Sequence, residues 1–175
     1  MIELVLGGAR SGKSSFAQQR AKSSGKSVSY IATATSFDNE MQARISRHQA
    51  ERPAEWTLIE QPLDLPSIIL SRGIDCECLL LVDCLTLWLS NEMFHRPKAP
   101  FEQLNANLCG ALESVAADVV LVSNEVGMGI VPMGEISRQF VDWQGWMNQS
   151  VARVAENVTF VAAGLPISLK GSVCA

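Results

Sequence analysis

Residues Gly7–Ser15 read GGARSGKSS and directly follow the apolar run Ile2-Glu3-Leu4-Val5-Leu6. Within them, Gly7-x4-Gly12-Lys13-Ser14 has the spacing of a loop that wraps nucleotide phosphates. Glycines let the backbone fold tightly around phosphate oxygens, and a helix opening at Lys13 offers unpaired N–H groups at the favourable end of its dipole. In such a loop Gly7, Gly8, Ala9, Arg10, Ser11 and Gly12 line the phosphates, Lys13 bridges the terminal ones, and the Ser14 hydroxyl joins the shell of a magnesium ion. The pattern needs a strand before it and a helix after it, so it bears on the fold as well as on the ligand.

Further runs rich in branched residues occur at Val28–Ile31, Leu79–Val82, Val119–Val122 and Val158–Ala162, each about the length of a buried strand. Helical periodicity fills the gaps at Lys13–Lys22, Asp38–Arg52, Leu63–Leu70, Leu85–Phe94, Phe101–Ala116 and Pro132–Ala155, and Trp56–Glu60 reads as a short edge strand. Strands without strict alternation, separated by helices, predict a parallel sheet covered on both faces. The expectation is an α/β fold, a single P-loop NTPase (RecA-like) domain over residues 1–175, with a mostly parallel sheet. In such sheets ligands collect at the carboxyl ends of the strands.

The 175 residues carry 18 acidic and 14 basic side chains, a formal charge of -4, which is not the basic excess of a nucleic-acid binder. Five cysteines form an odd set without metal-finger spacing and read as reduced core residues; Cys76-x-Cys78 lacks the usual two intervening residues. The opening apolar run is too short for a secretion signal, and no stretch approaches the roughly 18 apolar residues of a membrane span. A cytoplasmic protein without membrane or nucleic-acid partners is expected.

A P-loop works with an acidic residue at the tip of a nearby strand, and Leu79-Leu80-Leu81-Val82-Asp83 supplies one. Asp83 would hold magnesium or its waters; its other reading is the N-cap of the helix at Leu85. The segment Asp38–Pro53 begins with a cap candidate and stops at a proline. Residues four apart share a helix face, so Arg44, His48 and Arg52 form one basic stripe. Two guanidiniums beside an imidazole disfavour its protonated form, leaving a neutral ring and two phosphate ligands. On these residues alone His48 is either a covalent nucleophile or a solvated surface histidine. His95, in the Pro-rich stretch His95–Pro100, reads as surface.

Taken together, several motifs resemble one family from end to end. They are Gly7–Ser14, Tyr30-Ile-Ala-Thr-Ala34, Asp38-x-Glu40-Met41, Arg44-Ile45-x2-His48-x3-Arg52-Pro53, Leu81–Asn91, Ser123–Pro132, Arg138, and Asp142-x2-Gly145-x2-Asn148-Gln149. The chain resembles the bifunctional adenosylcobinamide kinase/adenosylcobinamide-phosphate guanylyltransferase family of cobalamin synthesis. The resemblance implies phosphorylation of the aminopropanol hydroxyl of adenosylcobinamide by ATP or GTP, then transfer of GMP from GTP to that phosphate with release of pyrophosphate. It also implies a guanylylated histidine, whose position here is His48; some relatives carry two adjacent histidines, whereas Arg47 precedes this one. By the same resemblance Ala32, Thr33, Ala34, Gln49, Ala50, Glu51, Arg52, Glu60 and Asp83 contact the nucleotide, and the chain assembles as a homotrimer.

Glu125, in the glycine-containing run after the fourth strand, reads equally as a direct participant and as part of a plain turn. Phe140, Trp143, Trp146 and Met147 exceed one narrow stripe of the last helix, and packing on another subunit is favoured over core burial. Two other functions stay open: a small-molecule kinase in which His48 is a bystander, and a nucleotide-dependent regulatory module.

Overall fold

Branched and leucine-rich runs build six parallel strands, β1 (Ile2–Gly7), β2 (Ser27–Ala32), β3 (Thr57–Glu60), β4 (Cys78–Asp83), β5 (Asp118–Asn124) and β6 (Asn157–Ala162), and a seventh, β7 (Leu165–Lys170), runs antiparallel to β6. The structure is a computed structural model that describes residues 1–35 and 53–171. The helix expected over Asp38–Arg52 lies outside the described residues, and with it Arg44, His48 and the Gln49–Arg52 group. The strand order is β3-β2-β4-β5-β1-β6-β7. Five helices are described: α1 (Lys13–Ser23), α2 (Leu65–Arg72), α3 (Leu85–His95), α4 (Phe101–Ser114) and α5 (Glu135–Val154).

The period of two along each strand divides the core. Leu4, Leu6, Leu80, Val82, Val119 and Leu121 face a layer made by α2 to α5, where Trp88, Leu108, Met147 and Val151 are fully buried. Val5, Leu79, Leu81, Val120 and Val122 face the other way, onto Ala17 and Ala21 of α1. Each fully buried Leu or Val contributes about 1.5–3 kcal/mol, so the doubly covered central strands are the rigid part that holds the site. Glu3 is the charged exception in β1: Arg20 Nε of α1 donates to its Oε2 at 3.0 Å and Thr159 Oγ1 to its Oε1 at 3.3 Å. Removing one partner of so buried a pair costs about 3–5 kcal/mol, which makes Arg20 a pin between α1 and the sheet.

The expected elements are present with shifted ends. α4 stops at Ser114 rather than Ala116, because the chain turns extended at Val115 and the N–H groups of Ala116 and Ala117 donate to Gly73 O at 2.8 and 3.1 Å. α5 starts at Glu135 rather than Pro132, with Gly134 in extended backbone at its N-cap. Trp143 stacks on Phe101 with ring centroids 5.1 Å apart, and Met147 is fully buried, so this chain's own core takes those two, whereas Trp146 stays 51% exposed. Strand β7 is absent from the expected elements. A two-residue turn, Ala163 (φ 50°) and Gly164 (φ 79°), joins it to β6, and positive φ at both positions matches the twist of a hairpin.

Candidate functional site

β1 delivers the phosphate loop. A Cβ on Gly7 would lie 2.5 Å from both Ser11 Oγ and Val161 O, so only glycine fits there. Gly12 caps α1 at φ 96°, a left-handed conformation that favours glycine. The missed β6–β7 hairpin braces this loop: Gly164 N–H donates to Ser11 O at 2.8 Å, and a Cβ on Gly12 would come within 3.1 Å of Gly164 Cα. Lys13 is mostly buried, and its Nζ donates across the loop to Gly8 O at 2.9 Å. No side chain caps α1, and its first turn holds no acidic residue. The positive end of that helix therefore faces the loop with no acidic residue of its own first turn against it, an arrangement suited to an anion. Ser11 Oγ, buried with no hydrogen-bond partner among the described residues, is one more group a phosphate would satisfy.

Asp83 closes β4, two strands from β1 along the same edge. Tyr30 OH donates to its Oδ2 at 2.9 Å. The N-cap position of α3 belongs to Cys84 and no side chain caps that helix, so the Asp83 carboxylate is not spent on capping. Burial, reinforced by the charge of Asp83, pushes the Cys84 thiol up to about 11, so it stays protonated at neutral pH and is no nucleophile. Among the described residues no three metal-ligating side chains cluster. One carboxylate and one hydroxyl, Asp83 and Ser14, match the habit of magnesium, which keeps most of its shell for substrate phosphates and water.

Thr33 sits behind this edge rather than on it. It is fully buried; its Oγ1 donates to Cys84 O at 2.7 Å and accepts from Cys84 N–H at 2.8 Å. Its N–H donates to Asp83 O at 3.2 Å, and Asn91 Nδ2 donates to its carbonyl at 2.8 Å. Its hydroxyl and N–H thus clamp the backbone on both sides of the Asp83–Cys84 peptide. Thr33→Val leaves the buried Cys84 N–H without its acceptor and should lower stability by about 1–3 kcal/mol. Urea midpoints at unchanged slope measure this; an unshifted midpoint would refute the clamp.

Ala32 and Glu60 pair in register at the ends of β2 and β3, and Gln61 N–H donates to Ala32 O at 2.8 Å. They lie three and four strand positions from β1, about 14 and 19 Å at roughly 4.8 Å per strand, so the fold does not bring them to the phosphate loop. They and Ala34 line the far half of the same edge.

A polar cluster joins β5 to α5, connecting Glu125 and Asn148, residues that stand out singly in the sequence but not as partners. Asn148 Nδ2 donates to Glu125 Oε1 at 2.7 Å and to Asn124 O at 3.1 Å, while its Oδ1 accepts from Ser123 Oγ at 2.7 Å and Gln144 Nε2 at 3.0 Å. Thr86 Oγ1 accepts from Asn124 N–H at 2.8 Å. The available signal is a pair of amides four residues apart, Gln144 and Asn148, on the inward face of an amphipathic helix. Beyond Glu125 the chain exposes Met128, Ile130, Val131 and Met133, with Ile130 99% exposed, and Arg138 Nη1 holds this loop by donating to Pro132 O at 3.3 Å and to Met133 O. His95 is on the surface against Phe94. A separate open concavity of about 800 Å³ lies between α4 and α5, lined in part by Trp146, and includes no residue of the phosphate loop.

Residues 3–169 match the family described as cobinamide kinase / cobinamide phosphate guanyltransferase. The bifunctional adenosylcobalamin biosynthesis protein CobP of Pseudomonas aeruginosa is 48% identical over 171 residues, covering 98% of each chain. CobU of Escherichia coli, of the same description, is 38% identical over 97% of this chain and 100% of its own. Among solved structures, the RadB recombinase aligns at TM-score 0.54 and 18% identity over 91% of this chain and 73% of its own. A type III secretion system ATPase aligns at 0.56 and 9% identity over 95% of this chain and 56% of its own. At such identities these two show the fold alone, a RecA-like P-loop domain.

Proposed function

Since the chain belongs to the cobinamide kinase / cobinamide phosphate guanyltransferase family, we propose that it carries out both reactions at the one cradle formed by β1 and α1. The first step moves the γ-phosphoryl group of ATP or GTP to the aminopropanol hydroxyl of adenosylcobinamide. The second moves GMP from GTP to that phosphate and releases pyrophosphate. The observation that carries the assignment of the cradle is the uncapped, acid-free start of α1 behind a glycine loop, with Lys13 held across it. Gly7 to Ser14 grip the triphosphate, and Lys13 neutralises charge as it builds on the phosphate oxygens. Ser14 and Asp83 hold the magnesium ion, which when bound screens the phosphate charge.

His48 is the nucleophile of the second step, taking GMP onto its ring. Arg52, Gln49, Ala50 and Glu51 lie beside it on the same segment and contact the nucleotide. Ala32, Ala34 and Glu60 line the far half of the edge, at the reach of the nucleoside rather than of its phosphates, and Thr33 keeps that wall in place. The exposed apolar loop of Met128 to Met133 begins beside the cradle and offers a surface to the corrinoid. The chain acts as a cytoplasmic homotrimer; none of its described helices is long and apolar enough to cross a membrane.

Purified chain with magnesium, GTP and adenosylcobinamide should yield adenosylcobinamide-GDP and pyrophosphate, resolved by chromatography of the corrinoids. Adenosylcobinamide phosphate alone, with no GDP adduct, would mark a simple kinase. No corrinoid product at all would favour a regulatory module.

A further inference from the structure

The two reactions differ in one chemical respect. An alcohol must lose a proton as it attacks phosphorus, whereas a phosphate monoester, with a second pKa of about 6, is already an anionic nucleophile at neutral pH. The kinase step therefore needs a proton acceptor that the guanylyl transfer does not.

We infer that Glu125 is that acceptor, a catalytic residue of the kinase step alone, aimed by Asn148. The inference rests on the two-reaction reading given above. Strand β5 lies between β1, which ends in the phosphate loop, and β4, which ends in Asp83. Gly7 pairs with Asn124 and Asp83 with Val122, so Glu125 is the first residue to leave the strand between the two phosphate-handling groups. Its N–H donates to Gly7 O at 3.2 Å, which ties its backbone to the start of the phosphate loop.

Its carboxylate is oriented as well. Asn148 is 3% exposed and its amide can point only one way, because one end of it meets two groups that can only accept, a backbone carbonyl and a carboxylate; the other end, Oδ1, accepts from Ser123 Oγ and Gln144 Nε2. The Nδ2 end must then face Asn124 O and Glu125 Oε1, and it donates to the latter at 2.7 Å. Glu125 Oε2 has no hydrogen-bond partner among the described residues, and the residue is half-buried, so one oxygen is held and the other is left to take a proton from an acceptor hydroxyl. In the step, the substrate O–H bond breaks and its proton passes to Oε2. The oxygen bonds to the γ-phosphorus as the bond from that phosphorus to the β,γ-bridging oxygen breaks, and the nucleoside diphosphate leaves.

The test measures the two half-reactions separately on the full chain: phosphorylation of adenosylcobinamide by ATP, and guanylylation of pre-formed adenosylcobinamide phosphate by GTP. Glu125→Gln keeps the hydrogen-bonding shape but cannot take the proton. It should lower kcat of the kinase step about 10²–10⁴-fold, the range for loss of a general base, while guanylyl transfer continues near the wild-type rate. Glu125→Asp keeps a carboxylate and should recover part of the kinase rate. Continued guanylyl transfer also shows that the variant is folded. A Glu125→Gln kinase rate equal to wild type, or an equal loss in both half-reactions, would overturn the assignment. A wild-type chain that performs neither half-reaction would overturn the functional reading beneath it as well.

Discussion

Lys13→Ala loses both reactions together. Lys13 Nζ is held at the mouth of the loop by Gly8 O, 2.9 Å away, and lies mostly out of water, where a fixed cation acts strongly on developing phosphate charge. Loss of one such preorganised donor lowers kcat on the order of 10²–10³-fold, and in the proposed function the same donor serves attack at the γ- and at the α-phosphorus. Rates of the two half-reactions, measured with a thermal melt of the variant as the folding control, check this. A variant that keeps guanylyl transfer while losing phosphorylation would separate the two reactions onto different grips.

His48→Ala divides them instead. Phosphorylation of the alcohol requires no histidine, so the kinase step continues. In the proposed second step guanylyl transfer proceeds through a bond to the imidazole, and loss of a covalent nucleophile lowers kcat on the order of 10⁴-fold or more. With ATP as the kinase substrate, the variant should accumulate adenosylcobinamide phosphate and stop there. If it forms the GDP adduct at the wild-type rate, His48 is a bystander and the transfer is direct. Glu125→Gln and His48→Ala then form a complementary pair, each disabling the half-reaction that the other leaves running.

Legibility in the sequence followed the range of the interactions. The loop from Gly7 to Ser14 was readable because its chemistry is local: strand, glycines, lysine and helix start are contiguous, and the end of β4 was readable because an apolar run stops abruptly at the carboxylate of Asp83. The role of Thr33 was not, since its partners Cys84 and Asn91 lie 51 and 58 residues further along. Resemblance places Thr33 near the nucleotide; the fold adds that its side chain is buried and bonded to the Cys84 backbone, as a brace. Gln144 looks like an ordinary polar interruption, and Asn148 only like part of a motif, until β5 is packed against them.

Strand β7 illustrates a different obstacle. Leu165, Ile167 and Leu169 alternate with Pro166, Ser168 and Lys170, a strand signal that Pro166 argues against anywhere except at an edge. It is an edge strand, exposed along its whole length, so the alternation marks no buried face. Its turn, Ala163-Gly164, lacks the Asn-Gly or Asp-Gly signature yet adopts positive φ at both residues. That turn matters to the site, because Gly164 holds Ser11 and so shapes the phosphate loop from a part of the chain about 150 positions away in sequence.

In the proposed function one cradle presents a triphosphate for attack at either end, once by an alcohol and once by a histidine. Incubation of the magnesium-loaded chain with GTP labelled at the α- or the γ-phosphorus, without corrinoid, isolates the attack by the histidine. The α-label should stay on the protein through denaturation as an acid-labile, alkali-stable bond, the γ-label should not, and both Lys13→Ala and His48→Ala should abolish the labelling. Wild-type protein that retains no α-label would contradict that attack.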